Sequence, residues 1–196
     1  MERNSPVSQG FKLESQIREA FGRVVYTQTC HEKKIKRLLQ KSEIIKISQI
    51  VISAITTGSF LVTIFTDEKL SAILGAVLSL VLLIINTYTK NANLVEIAQE
   101  HQRASDLLWD IREQYVSLLT DFELLDTTTI MDKRDELQHR TWVVYSNSPR
   151  TDSKSYKEAQ KALKTEEEQT FSEDEIDVML ANSIRRSTRT NTKEII

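Results

Sequence analysis

"ISQIVISAITTGSFLVTIFTDEKLSAILGAVLSLVLLIINTYTK", residues 47–90, holds two uncharged runs, Ile47 to Thr66 and Leu70 to Thr89, parted only by Asp67, Glu68 and Lys69. A helix rises about 1.5 Å per residue, so runs of roughly 20 residues match the ~30 Å hydrocarbon core of a bilayer. The second is strongly apolar ("AILGAVLSLVLLII", 72–85). The first carries Ser48, Gln49, Ser53, Thr56, Thr57, Ser59 and Thr63 and alone would be a marginal span. A buried hairpin in a soluble protein would need apolar partners on every side. A chain of 196 residues with 40% hydrophobic content has too few left to supply them. The reading is an all-α membrane protein built on a two-transmembrane helical hairpin, with spans 47–66 and 70–89 inside a 47–89 membrane domain.

The flanks give orientation, because Lys and Arg near span ends stay cytoplasmic. Lys33, Lys34, Lys36, Arg37, Lys41 and Lys46 precede the first span, and Lys90 and Arg103 come after the second. Both termini are therefore expected in the cytoplasm, with residues 67–69 as the outer turn, and the inner (plasma) membrane as the location. The basic cluster also admits a reading as a contact for anionic lipid headgroups or nucleotide phosphates. A net charge of −2 gives no general attraction for nucleic acid, so direct nucleic-acid binding is not expected. The single cysteine, Cys30, cannot form an intrachain disulfide. The polar start "MERNSPVSQG" lacks the apolar core of a cleavable signal, leaving insertion to the first span.

Outside the membrane, no Gly or Pro occurs between Gly75 and Pro149, so the second span is expected to run on as a helix. From Leu94 its apolar residues fall into heptads. Leu94, His101, Leu108, Tyr115 and Phe122 form one seam, and Ile97, Ala104, Ile111, Leu118 and Leu125 the other. The N-terminal segment supplies a partner, since Leu13, Ile17, Phe21, Val24, Ile35, Leu38 and Leu39 recur at helical spacing, with Gly22 weakening the helix without ending it. The expected organisation is a basic amphipathic helix in 1–46, a heptad helix in 90–126 packed against residues 12–46 as a stalk, and C-terminal cytoplasmic helices in 127–196. Those helices have start signals at "TIMD" (129–132), "SYKE" (155–158) and "SEDE" (172–175), each a capping side chain three residues before an acid. Phe171 and Ile176 stand where a hydrophobic staple would place them. Ile176, Met179, Leu180 and Ile184 form an apolar face that must dock on the stalk or on a neighbouring copy. "NSPRTDS" (147–153) reads as a break and "RRSTRTNTKEII" as a flexible end.

Catalytic patterns are missing: there is no phosphate loop, nucleophile elbow or HExxH, and His31, His101 and His139 are scattered in sequence. The expectation is a non-enzyme with no cofactor and no metal site. "CHE" (30–32) reads as an exposed helix turn. His101 in the seam reads as a polar layer fixing helix register, with a pH switch or ligand contact as its sharper alternatives.

The spans hold the informative polar residues. At about 100° per residue, Gln49, Ser53, Thr56, Phe60 and Thr63 lie along one stripe of the first span. On the second, Ser71, Gly75, Ser79, Leu82 and Asn86 share a face, and Ser71, Gly75 and Ser79 form a small-xxx-small series that lets helices approach closely. Two explanations stand side by side. These faces can pack the spans on each other with hydroxyls bonded back to their own helices. Alternatively, the first span's stripe lines a water-filled lumen, with Phe60 as its constriction. A single hairpin encloses no pore, so the second explanation requires a homo-oligomer.

The order of basic helix, span, three-residue loop, span, long cytoplasmic helix and acidic helical tail resembles the SLATT family, the SMODS and SLOG-associating two-transmembrane effectors. The stretches "REAFGRVVYTQTCHEKKIKRLL" (18–39) and "KEAQKALKTEEEQTFSEDEIDVML" (157–180) carry the resemblance with the hairpin between them. The chain departs from the pattern in lacking a proline in "ANSIRRSTR" (181–189). The resemblance implies an effector of a bacterial antiphage or abortive-infection system that oligomerises and breaches the membrane. Its trigger would be a genomically linked sensor: a cyclic-oligonucleotide synthase, a SLOG protein or a reverse transcriptase. Any nucleotide second messenger would act indirectly. The rival from another class is a non-conducting scaffold that anchors a cytoplasmic partner through its stalk.

Overall fold

The computed structural model describes residues 6–66, 69–181 and 185; among them every regular element is an α-helix. The inter-span residues Asp67 and Glu68, Ile184 of the tail face and most of the basic end fall outside the described residues. By contact the chain divides into two compact units, Met1–Ala159 and Gln160–Ile196.

In the first unit α1 runs unbroken from Pro6 to Thr66, 61 residues and about 90 Å of helix. The basic amphipathic segment and the first span are thus one rod. Gly22 does not interrupt it, and a Cβ there would meet nothing within 4 Å. The rod turns back into α2, Lys69–Ala92, so Lys69 opens the second helix. α3, Leu94–Thr120, continues it. The continuous second helix expected from the absence of Gly and Pro does not hold at one residue: Asn93 stands at φ 32° and ψ 53°, in the left-handed region. Asn tolerates that region better than most residues, and its amide side chain donates to the Glu96 carboxylate one turn on. The Ile97 amide still donates to the Asn93 carbonyl at 3.2 Å, so the helix resumes at once.

α3 packs along the N-terminal half of α1, and α4, Thr127–Asn147, closes a three-helix bundle on both. Its core joins Leu13, Ile17, Ala20 and Val24 of α1 to Ala104, Leu108, Ile111, Tyr115 and Leu118 of α3 and Ile130, Leu137 and Val144 of α4. Phe21, Phe122 and Leu125 pack partly buried on its edges. Ile35 is also buried, whereas Leu39 lies exposed. α4 is a full third helix whose buried residues recur every seven positions, and a two-helix stalk understates the bundle.

The caps differ from the sequence reading in two of three cases. α4 starts three residues earlier than "TIMD" suggests, because the Asp126 carboxylate accepts from the Thr129 amide at 3.0 Å. α5, Ser153–Lys164, is likewise opened by Asp152, which accepts from the Ser155 amide at 2.8 Å. In both, an Asp three residues upstream serves as N-cap and the expected capping hydroxyl occupies N3. In the second unit, Ser172 opens α6, Glu173–Met179, with a complete capping box to Glu175. Phe171, Val178 and Met179 stay exposed.

Because the position of Gly22 is helical and sterically open, Gly22→Ala should stabilise the bundle by about 0.5–1 kcal/mol through lost backbone entropy in the unfolded chain. Thermal melting monitored by circular dichroism checks this; an unchanged or lower midpoint would show that α1 is not helical there.

Candidate functional site

The apolar windows of α1 and α2 are not buried within the chain. Ile47, Ile50, Val62, Phe65, Leu70, Leu80, Leu83 and Ile84 all point outward. Large apolar side chains cannot remain so exposed in water over two antiparallel spans, so their solvent is lipid. The two spans touch along a narrower, polar seam. Gln49 donates to the Asn86 side-chain carbonyl at 2.7 Å at the end of the spans nearest the helical bundle. Thr63 and Ser71 share a hydroxyl hydrogen bond of 2.7 Å near the turn. Between them Gly75 lies so close to α1 that a Cβ would sit 3.6 Å from the Ser59 Cβ. Hydroxyls without a cross-span partner bond back: Thr56 to the Ile52 carbonyl and Thr57 to that of Ser53.

The predicted stripe therefore splits. Gln49, Thr56 and Thr63 turn towards the second span and are half-buried, while Ser53 and Phe60 lie on one flank and are exposed. Of the second span's face, Ser71 and Gly75 are half-buried and Ser79 is exposed. On the flank of Ser53 and Phe60 the hairpin is grooved. One groove of about 670 Å³ has Gln49, Ser53, Thr57 and Asn86 among its lining, and a second of about 540 Å³ is lined by Thr57, Phe60, Thr63, Ser71 and Ser79. Thr57 lines both.

The base of the hairpin holds a polar cluster that the sequence did not assemble. His31 of α1 and His101 of α3, 70 residues apart, meet with their Nδ1 atoms 2.9 Å apart, and both rings are buried. Beside them Ser105 donates to the Glu32 carboxylate at 2.5 Å. Burial pushes the His31 imidazole down to about 4, helped by the neighbouring His101. Burial also lowers His101, and the Lys34 ammonium lowers it further. Cys30 is buried too, and that burial lifts its thiol to about 11, so it is inert at neutral pH rather than an exposed turn. His31 could have been found: Ile17, Val24 and His31 recur every seventh residue, as His101, Leu108 and Tyr115 do on α3. Two heptad histidines on antiparallel helices are an expected pair, whereas proximity in sequence could not reveal it.

Of the membrane-flanking basic residues, Lys34 and Arg37 are engaged inside the protein. Lys34 Nζ lies 2.6 Å and Arg37 2.7 Å from the Asp152 carboxylate, and Arg37 also reaches Ser155 at 2.7 Å and Glu158 at 3.5 Å. Burial alone would raise the Asp152 carboxyl, but hydrogen bonds from Lys34, Arg37 and Ser155 overcome it and hold the group well below the usual carboxylate range. Lys36, Lys41 and Lys46 stay exposed. Lys41 sits 5.6 Å over the Tyr88 ring, tying α1 to α2 where the helices enter the bilayer. The stalk positions Leu94 and Ile97 are half-buried, and His101, Leu108, Ile111, Tyr115 and Leu118 are buried against α1 and α4 of the same chain. Among the described residues no three metal-ligating side chains come together.

Two outward-facing apolar helices joined to a helical bundle define a membrane protein of the two-span class. The chain belongs to the SMODS and SLOG-associating 2TM effector domain family 4, which it matches over residues 13–175. That family is one of two-transmembrane effector domains associated with antiphage systems. No curated protein and no solved structure matches the chain.

The folded chain holds Asp152 ionised, so its contribution is present above the ordinary aspartate pKa of 3.8 and fades as pH falls below it. Asp152→Asn should cost on the order of 1 kcal/mol at pH 7, the carboxylate being partly exposed. The gap between wild type and variant should narrow towards pH 3. Urea unfolding at both pH values checks this, and a gap that is constant with pH would remove the ionic role.

Proposed function

We propose that the chain is the membrane effector of a bacterial antiphage system. In this reading several copies assemble with their grooved flanks inward and permeabilise or depolarise the inner membrane when a genomically linked sensor acts on the cytoplasmic bundle. Both termini would then be cytoplasmic, in keeping with Lys36, Lys41 and Lys46 on one side of the bilayer.

The observation that carries this reading is the one-sided polarity of the hairpin. Ser53, Thr57 and Ser79 lie in grooves on one flank, while large aliphatic side chains dominate the rest of the spans' outer surface. A hydroxyl facing lipid gains nothing over an aliphatic side chain, whereas several such flanks brought together make a polar lumen. Phe60, 65% exposed at the groove edge, is the bulky apolar group that would close it by excluding water. The hydroxyls bonded back to their own helices favour the second reading, a hairpin that only anchors a scaffold.

Membrane potential and propidium uptake, in cells expressing the chain with its genomic neighbour, separate the two. Phe60→Ala should raise triggered leak severalfold and Thr57→Leu should suppress it, at unchanged membrane abundance. Equal leak in wild type and both variants would remove the pore. Function that survives replacement of both spans by unrelated apolar helices would establish the scaffold.

A further inference from the structure

The polar cluster at the base of the hairpin is unexplained by packing alone. Two neutral imidazoles with facing Nδ1 atoms form one hydrogen bond: one ring carries the Nδ1 hydrogen and the other accepts it with its lone pair. A first added proton can sit on the far Nε2 of the donor ring and leave that bond intact. A second must occupy the acceptor Nδ1, and then two hydrogens and two positive charges face each other across 2.9 Å. The pair is therefore compatible with the closed bundle when neutral or singly charged and incompatible when doubly charged.

The surroundings offset a second charge only in part: Glu100 and Asp152 favour a charged His101, but burial and the Lys34 ammonium outweigh them. From α1 the pair is faced by Lys34, Glu32 and the neutral Cys30 thiol, and from α3 by Glu100 and Ser105. Glu32 is committed to Ser105. Asp152, from the segment before α5, is committed to Lys34, Arg37 and Ser155, and Glu158 of α5 pairs with Arg37. From α4 comes Tyr145, whose hydroxyl lies 3.0 Å from that of Thr27. Protons nonetheless have a route in: an open cleft of about 370 Å³, with Thr27, His31, Tyr145 and Arg150 among its lining, reaches the His31 ring.

We propose that the His31–His101 pair is a proton-operated latch that holds α1 against α3 at neutral pH and releases them when both rings charge. Its position gives it leverage. α1 continues from His31 into the first span without interruption, and α3 joins the second span through the single left-handed residue Asn93. Separation at the pair therefore reaches the mouth of the hairpin near Gln49 and Asn86. Linkage sets the sign. Folding lowers His31 from 6.5 to about 4, so the closed state is fully favoured above pH 6.5 and loses that advantage progressively as pH falls towards 4.

Cys30 reports on the latch without any reference to ion leak. It is the chain's one cysteine, it is buried, and it adjoins His31 in sequence. In the full chain in lipid nanodiscs, its labelling by 4,4′-dithiodipyridine is measured from pH 7.5 to 4.5 and normalised to the urea-unfolded chain at each pH. Wild type should gain tenfold or more in normalised rate over that range. The His31→Gln, His101→Gln double variant should stay flat, since its amides pair without titrating. Unchanged wild-type protection at pH 4.5, or an equal rise in the variant, would overturn the latch. Should the variant lose protection already at pH 7.5, the wild-type imidazole resonances decide. Cys30 exposure in step with protonation of the second ring supports the proposal, and titration of both rings without exposure refutes it. Loss of the latch leaves the pore reading untouched, because no ion flux enters this measurement.

Discussion

The structure depends on α1 being one helix across two solvents. Within lipid, each backbone N–H and C=O must be satisfied inside its own helix, which forbids a break in the span. Outside the lipid no such rule applies, and continuity comes from burying one face of α1 along α3 and α4. The rod then imposes a single antiparallel register on α2 and α3 as the chain returns along it. His31 with His101, Glu32 with Ser105, Gln49 with Asn86 and Thr63 with Ser71 are successive rungs of that pairing.

The rungs are not of equal strength. Burying an aliphatic side chain in the bundle removes it from water and is worth about 1.5–3 kcal/mol. Between the spans that driving force is absent, because lipid is as apolar as leucine, and a cross-span hydrogen bond contributes roughly 0.6 kcal/mol. The bundle therefore sets the register, and the hairpin adopts it through Gln49, Thr63 and the close approach at Gly75. A weakly self-associated hairpin on a firmly packed stalk is one whose spans rearrange when the stalk does.

Periodicity and run length made part of the fold legible in the sequence. The spans come from the absence of charge over the length of a bilayer, and the α3 seams from heptads that burial then fills, His101 included. α4 is harder to read because its buried set is thin, with only Ile130, Leu137 and Val144 fully buried among polar neighbours. The break at Asn93 escapes a reading that equates absence of Gly and Pro with continuity, since Asn enters the left-handed region too. The polar stripe is right in composition and too coarse in angle: roughly 40° separates a residue facing the partner helix from one facing outward, and that difference divides Thr56 from Phe60. The histidine pair is a tertiary fact that needs the register of two helices at once.

The basic flank shows how one sequence signal serves two physical ends. Six cations before the first span satisfy the orientation rule by number alone, yet two of them are drawn away from the membrane by Asp152. Lys34 and Arg37 lie on the face of α1 that meets the segment opening α5. Their charge fixes that segment, and the Lys34 ammonium also lowers the proton affinity of His101. Lys36, Lys41 and Lys46 remain exposed, and Lys41 and Lys46 are close enough to the span for their ammonium groups to reach the headgroup layer. A change at Asp152 removes the acid that Lys34 and Arg37 share and loosens the bundle, while the six cations before the first span remain in number.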